Sequence, residues 1–365
     1  MTSPYDIDEI FPDDAAGAVR LPRRQAGNSP QDLTVTLLAD YTLSTGAELP
    51  SAAIVALLAE AGVSHAGART AISRLARRGV LLVRRQGRRS AYRLTPDAAA
   101  FLSVGGSSIV SSAEGAEPWD EHWTLIAFSL PPGERARRQE LRNKLRWMGY
   151  APLYDGLWIS PHDLPDKARA QLALVGPGTM TVFRARHVEL AAGLHRTPLE
   201  AWDTAAIARE YEAFIQHWRL VPARISTGRL TGAEAVRART EVMDTYRRLP
   251  VLDPRLPLRL LPPGWLREPA RELFVAVYDG LATTAQDHVR SIAAGAADGP
   301  VAGIQAHSVA DLSAGLRPAA TRSDSVTAPS GGRDDDPGRP GAQEAAREAA
   351  TDAATPESVI RMSSM

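Results

Sequence analysis

The sequence predicts a multidomain α+β chain: a three-helix-and-hairpin unit, a small ferredoxin-like α+β unit, a helical unit and a low-complexity tail. Three observations carry this expectation. Apolar residues recur at helical spacing in two separate regions, one around Leu33 to Leu75 and one around Ile207 to Tyr278. Between them, short strand-like runs at 123–130, 153–160 and 180–187 alternate with helical segments at 134–148 and near 167–174. At 365 residues the chain is also longer than one ordinary domain.

Residues 1–28 mix Pro, Gly, Asp and Arg without periodicity and read as a flexible arm. Ser29-Pro30-Gln31-Asp32 then supplies a helix-start signal with Pro at the first helical position. Leu33, Leu37, Leu38 and Tyr41 continue it to about Ser44. Pro50 and Ser51 open a second helix that Gly62 stops. Ser64 caps a third helix from His65 to Arg78, which Gly79 ends. Two strands at 80–86 and 90–95 flank Gly87-Arg88-Arg89, and a short helix at 97–104 closes the unit that spans 29–104. Gly, Ser and Ala at 105–117 read as a flexible linker.

The ferredoxin-like unit occupies 118–197. A helical unit follows over 198–290, with Ile207, Tyr211, Phe214 and Trp218 forming an inward stripe. Residues 291–365 are rich in Ala, Gly, Ser, Pro, Asp and Arg and are expected to form a disordered tail.

Composition excludes several classes. Forty-two basic and 42 acidic residues leave no formal net charge, so the chain is neither a polycation nor an acidic solvating protein. Without Cys there are no thiol nucleophiles, disulfides, Cys-zinc sites or iron–sulfur ligands. No apolar run is long enough to span a bilayer, and the N-terminus is acidic, so a soluble, cytoplasmic protein is expected. Gly-rich phosphate loops, G-x-S-x-G and H-E-x-x-H are missing. Neither a catalytic residue, a metal ligand nor a cofactor is expected.

Charge is balanced globally but not locally. Between Glu60 and Asp97 there is no acidic residue, yet Arg69, Arg74, Arg77, Arg78, Arg84, Arg85, Arg88, Arg89 and Arg93 all fall there. Such a block on a small helix–turn–helix–hairpin unit suits a phosphate polyanion. Ala68, Ile72 and Leu75 form the inner face of the third helix. His65, Arg69, Thr70, Ser73, Arg74 and Arg77 then point outward toward a DNA major groove, with Arg88 and Arg89 on the wing-like hairpin tip. A second basic row, Arg135, Arg138, Arg142 and Arg146, lies along one face of the helix after Pro132 and offers phosphate partners for an effector.

These features together resemble the PaaX family of transcriptional regulators, the phenylacetic-acid degradation repressors, over about 31–285. The resemblance rests on three ordered matches. The first is Arg69-Thr-Ala-Ile-Ser-Arg-Leu-Ala-Arg-Arg-Gly79 within the winged helix-turn-helix pattern. The second comprises Trp119-Asp-Glu-His-Trp123, Leu145-Arg-Trp-Met-Gly-Tyr-Ala-Pro152 and Gly156-Leu-Trp-Ile-Ser-Pro161. The third comprises Tyr246-Arg-Arg-Leu-Pro, Asp253-Pro-Arg-Leu-Pro and Leu261-Pro-Pro-Gly-Trp265. The resemblance implies repression by binding double-stranded operator DNA, relief by an aryl- or acyl-CoA thioester such as phenylacetyl-CoA, and a homodimer. It also implies a central domain similar to Cas2-type folds, some of which are linked to metal-dependent nuclease activity. Such a site needs a carboxylate at the end of the first strand, where this chain has Ser129-Leu130-Pro131. A thioester hydrolase or Cas2-like nuclease tethered to DNA is the enzymatic alternative.

Overall fold

The computed structural model describes residues 29–111, 119–164, 179–189, 196–253 and 255–317, together with Arg169 and Leu172. The expected arm at 1–28 and the tail beyond 317 lie outside the described residues.

Helix α1 (Pro30–Thr42) starts where Ser29 Oγ accepts from the Asp32 amide at 3.1 Å. Helix α2 (Ser51–Glu60) ends in a turn through Gly62, whose φ of 82° suits a residue without Cβ. Helix α3 (His65–Arg77) follows, capped by Ser64, which accepts from the Gly67 amide at 3.1 Å. Strands β2 (Leu81–Gln86) and β3 (Arg89–Leu94) form an antiparallel hairpin with Gln86 opposite Arg89. The tip is therefore the two-residue turn Gly87-Arg88, and Arg89 belongs to the strand. A two-residue strand, β1 (Leu49–Pro50), adds to the free side of β3.

Helix α4 (Pro96–Ser111) is the first departure from the sequence reading. The stretch 105–111, expected as flexible linker, is helical despite its glycines, while 112–118 lies outside the described residues. Packing explains the difference. A Cβ on Gly106 would stand 2.9 Å from a Leu312 methyl, so the glycine lets a later segment lie directly against the helix. Val110 is buried in the same contact region.

The central unit contains β4 (His122–Ser129), α5 (Arg135–Trp147), β5 (Ala151–Tyr154), β6 (Leu157–Ser160) and β7 (Thr179–Arg186). The run expected as one strand at 153–160 is a hairpin that turns at Asp155-Gly156, with Gly156 at φ 75°. The sheet order β5-β6-β4-β7, antiparallel throughout, is that of a ferredoxin-like sandwich. Alternation along β4 sends Ile126 and Phe128 toward Leu141 and Leu145 of α5. It sends Trp123 to the opposite face, against Trp119, Trp202 and Leu260. Arg259 covers Trp119, 4.5 Å from the ring centroid, and pairs with Glu121 at 3.1 Å.

The helical unit comprises α6 (Thr204–Trp218), α7 (Val221–Ser226), α8 (Gly232–Tyr246), α9 (Leu249–Leu252), α10 (Arg267–Gly280), α11 (Ala282–Ala297) and α12 (Val309–Ser313). The expected tail from 291 is corrected here. Helix α11 runs on to Ala297, and Ile304, Val309 and Leu312 are buried. Its inner face, Ala285, Val289 and Ala293, is built of small residues that let helices approach closely. Units expected as separate also merge: Leu38, Tyr41, Leu58 and Leu75 share one hydrophobic core with Phe274, Tyr278 and Val289. Among the described residues no helix is long and apolar enough to cross a membrane.

Candidate nucleic-acid interface

The position of α3 follows from its apolar spacing. Ala68, Ala71, Ile72 and Leu75 are buried in the core shared with α1 and α2. The remaining face is therefore presented outward, and His65, Arg69, Thr70, Ser73, Arg74 and Arg77 are all exposed. The first turn carries no acidic residue, so its outward amide ends remain favourable to an anion.

Apart from Arg78, the arginine block divides into two groups. Arg69, Arg74, Arg77, Arg85 and Arg88 are exposed and make no ion pair among the described residues. Arg85, on the hairpin, stands in the same acid-free run and is as exposed as the α3 arginines. The other group is engaged. Arg84 pairs with Glu48, and Arg93 approaches the same carboxylate at 3.7 Å. Arg89 pairs with Asp298 and also donates to the Ala297 carbonyl at 3.3 Å. The structure thus separates the two expected hairpin residues, leaving Arg88 at the turn and tying Arg89 to the end of α11. Glu60, the nearest acid before the block, is also occupied: its carboxylate lies 2.9 Å from His288 Nε2.

On the central unit, the arginine row is less open than its spacing suggests. Arg135 is exposed and makes no ion pair among the described residues. Arg138 is half-buried and donates to the Leu130 carbonyl at 3.3 Å. Arg142 pairs with Asp155 at 3.1 Å, which pins α5 to the β5–β6 turn. Arg146 lies over Trp158, 5.5 Å from the ring centroid. Trp158 itself is 1% exposed and is a core residue, whereas Tyr154 is exposed. Among the described residues no cluster of His, Cys, Asp or Glu is arranged to hold a metal ion.

Comparison with known proteins covers the same three regions. A family model described as PaaX-like protein matches residues 29–98. One described as PaaX protein central Cas2-like domain matches 116–195, and one described as PaaX-like protein C-terminal domain matches 202–291. The transcriptional repressor PaaX of Escherichia coli (strain K12) is 30% identical over 259 residues, covering 69% of this chain and 80% of that protein. A solved structure of an uncharacterized protein from Mycobacterium tuberculosis aligns with a TM-score of 0.51 at 18% identity. It covers 73% of this chain and 99% of that one, and the likeness concerns the fold alone.

Proposed function

The chain belongs to the PaaX family, and from that premise we propose that it is a cytoplasmic, DNA-binding transcriptional repressor rather than an enzyme. In this reading α2, the Gly62 turn and α3 form a helix-turn-helix, and the β2–β3 hairpin is its wing. Helix α3 enters the major groove, where guanidinium forks suit guanine O6 and N7. Arg88 at the turn meets backbone phosphate. The observation that carries the reading is the charge arrangement. Exposed arginines that make no ion pair among the described residues, Arg69, Arg74, Arg77, Arg85 and Arg88, cluster on α3 and the wing, while the nearby acids Glu48 and Glu60 are already occupied. Counterion release from phosphates makes such a surface an affinity source.

The finer proposal is repression of a catabolic, phenylacetate-type operon, relieved when an aryl- or acyl-CoA thioester binds the central unit. Arg135 and its row would meet the thioester's phosphates, and the ring of Tyr154 is exposed on the same unit. A homodimer formed through regions beyond residue 118 would read an inverted repeat. Strand β4 leads into Ser129-Leu130-Pro131, which lacks the carboxylate that a Cas2-like nuclease would place there.

Protection mapping on the DNA beside the protein's own gene tests the reading. The expected result is a symmetric footprint that disappears with increasing phenylacetyl-CoA. Absence of any footprint, or turnover of thioester or nucleic acid by the pure protein with Mg²⁺, would overturn it.

A further inference from the structure

The β2–β3 hairpin has little core of its own. After Leu81 every residue of β2 is exposed. Strand β3 is anchored at its far end, where Leu94 is buried, Tyr92 packs against the core and β1 pairs with Ala91 and Tyr92, but the tip beyond these contacts has no buried residue of its own to hold its angle to α3. Helix α11 is in a position to do so. Near its middle, His288 Nε2 lies 2.9 Å from Glu60, the last residue of α2. At its end, Asp298 and the Ala297 carbonyl take the two amino groups of Arg89, the first residue of β3. About 15 Å of helix lies between these contacts.

Asp298 is a marked residue on backbone grounds as well. Its φ of 55° and ψ of 35° place it in the left-handed region, where Gly is the easier occupant. Gly299 follows immediately and closes the helix end with its own amide, 3.0 Å from the Ala294 carbonyl. The left-handed turn carries the carboxylate to the wing. A guanidinium there also caps a helix C-terminus, where the backbone carbonyls carry partial negative charge.

Resting on the DNA-binding reading above, we propose that Asp298 is a positioning residue for DNA recognition. It holds Arg89 as a strut rather than leaving it as a phosphate ligand, and α11 thereby splints the wing at a fixed angle to α3. The angle decides whether Arg88 meets a phosphate while α3 lies in the groove.

The test is binding of the full-length chain and its Asp298→Asn, Arg89→Ala, double and Arg88→Ala variants to a duplex from beside its own gene, across a salt series. Asn tolerates the left-handed turn, so the cap survives. Asp298→Asn and Arg89→Ala are expected to weaken binding about 2- to 5-fold each, the range of a largely exposed pair. The double variant should be no weaker than the weaker single one. The slope of log affinity against log salt should stay at its wild-type value in all three, while Arg88→Ala reduces it by about 0.9. The proposal is overturned if Arg89→Ala reduces the slope as Arg88→Ala does, making Arg89 a phosphate ligand. Tighter binding by Asp298→Asn, making Asp298 a competitor of phosphate, overturns it too, as does wild-type affinity in both singles. A wild-type chain that binds no duplex at any salt overturns the functional reading itself, and this proposal with it.

Discussion

The hydroxyl of Tyr278 donates a 2.7 Å hydrogen bond to Asp40 Oδ1, joining α10 to α1 across 238 positions of chain. The bond belongs to a buried polar cluster at the junction of the two helical regions. Arg239, fully buried, lies 3.6 Å from the Tyr278 ring centroid and donates to the carbonyls of Tyr278 and His307. His307 Nε2 stands 3.2 Å from the same Tyr278 hydroxyl. Burial dominates both titrating groups, opposing charge on each. It raises the Asp40 carboxyl to about 6, against the pull of Arg239, and lowers His307 to about 3.

The two groups bend the pH dependence of stability in opposite directions. Asp40 ordinarily titrates at 3.8, so between that value and 6 the folded chain holds a proton that the unfolded chain has released. Its contribution is complete below about pH 4 and is lost as pH rises through 6. His307 is neutral in the fold where an unfolded His would be charged, so its contribution is complete above 6.5 and is lost as pH falls toward 3. Urea unfolding from pH 4 to 7 should therefore show Asp40→Asn tilting upward with pH relative to wild type, by up to ~1.4 kcal/mol per unit. His307→Gln should tilt the other way. Parallel profiles for all three would mean that neither group titrates as its burial dictates.

Removing Arg239 alone should be severe. Arg239→Ala strips two buried carbonyls of their donor and Asp40 of its cation, a loss on the order of 3–5 kcal/mol. Arg239→Met together with Asp40→Leu, which removes both charges, should cost less than Arg239→Ala. Because one core serves α1–α4, α6 and α8–α12, these helices should unfold together in a single transition followed by circular dichroism.

How far the sequence alone reaches can be seen at particular residues. The α3 face was legible because Ala68, Ile72 and Leu75 keep helical period, which leaves His65, Arg69 and Arg74 outside. Partners were not legible: Glu48 and Asp298 lie outside the acid-free run, so nothing in that run separates Arg88 from Arg84, Arg89 or Arg93. Composition also misled at 105–111 and 291–317. Gly105-Gly106 has the chemistry of a linker, but Leu312 converts it into a packing notch. Helix α11 buries alanines, and alanine-rich text reads as tail until its neighbour is known.

That notch gives a substitution whose local and tertiary effects oppose each other. Gly106→Ala improves helix propensity by about 1 kcal/mol. It also places a methyl 2.9 Å from Leu312, where overpacking costs ~1–3 kcal/mol. Net destabilisation is expected, and the same Gly106→Ala change should cost less in a Leu312→Ala background, where the methyl it meets is gone, than in the wild-type chain. Stabilisation by the single change, measured by thermal unfolding, would mean that 105–111 is the linker its composition suggests.

Thioester binding should depend most on the arginine that has no internal duty. Arg138 and Arg142 hold the Leu130 carbonyl and Asp155, so replacing them disturbs the fold of the central unit as well as any ligand. Arg135 has no such partner among the described residues. Calorimetric titration of phenylacetyl-CoA is expected to show weaker binding to Arg135→Ala with unchanged thermal stability. Equal affinity in the variant would leave the row as a solvated helix face.

On DNA, the α3 arginines and the wing arginine should fail differently. Arg69 lies on the exposed face in the first half of α3, and Arg74 lies on the exposed face where the last turn begins, three residues before Arg77. Arg69→Ala or Arg74→Ala should cost about 1–3 kcal/mol on the protected sequence and much less on a random duplex, because a bidentate base contact is lost. Arg77 and Arg88, at the last turn of α3 and at the hairpin tip, are placed for the phosphate backbone. Their alanine variants should weaken all duplexes alike and reduce the salt slope by about 0.9 each. Fluorescence anisotropy against both duplexes at several salt concentrations separates the two patterns. If the Arg69→Ala/Arg74→Ala double variant keeps wild-type discrimination between the duplexes, α3 is not the helix that reads the sequence.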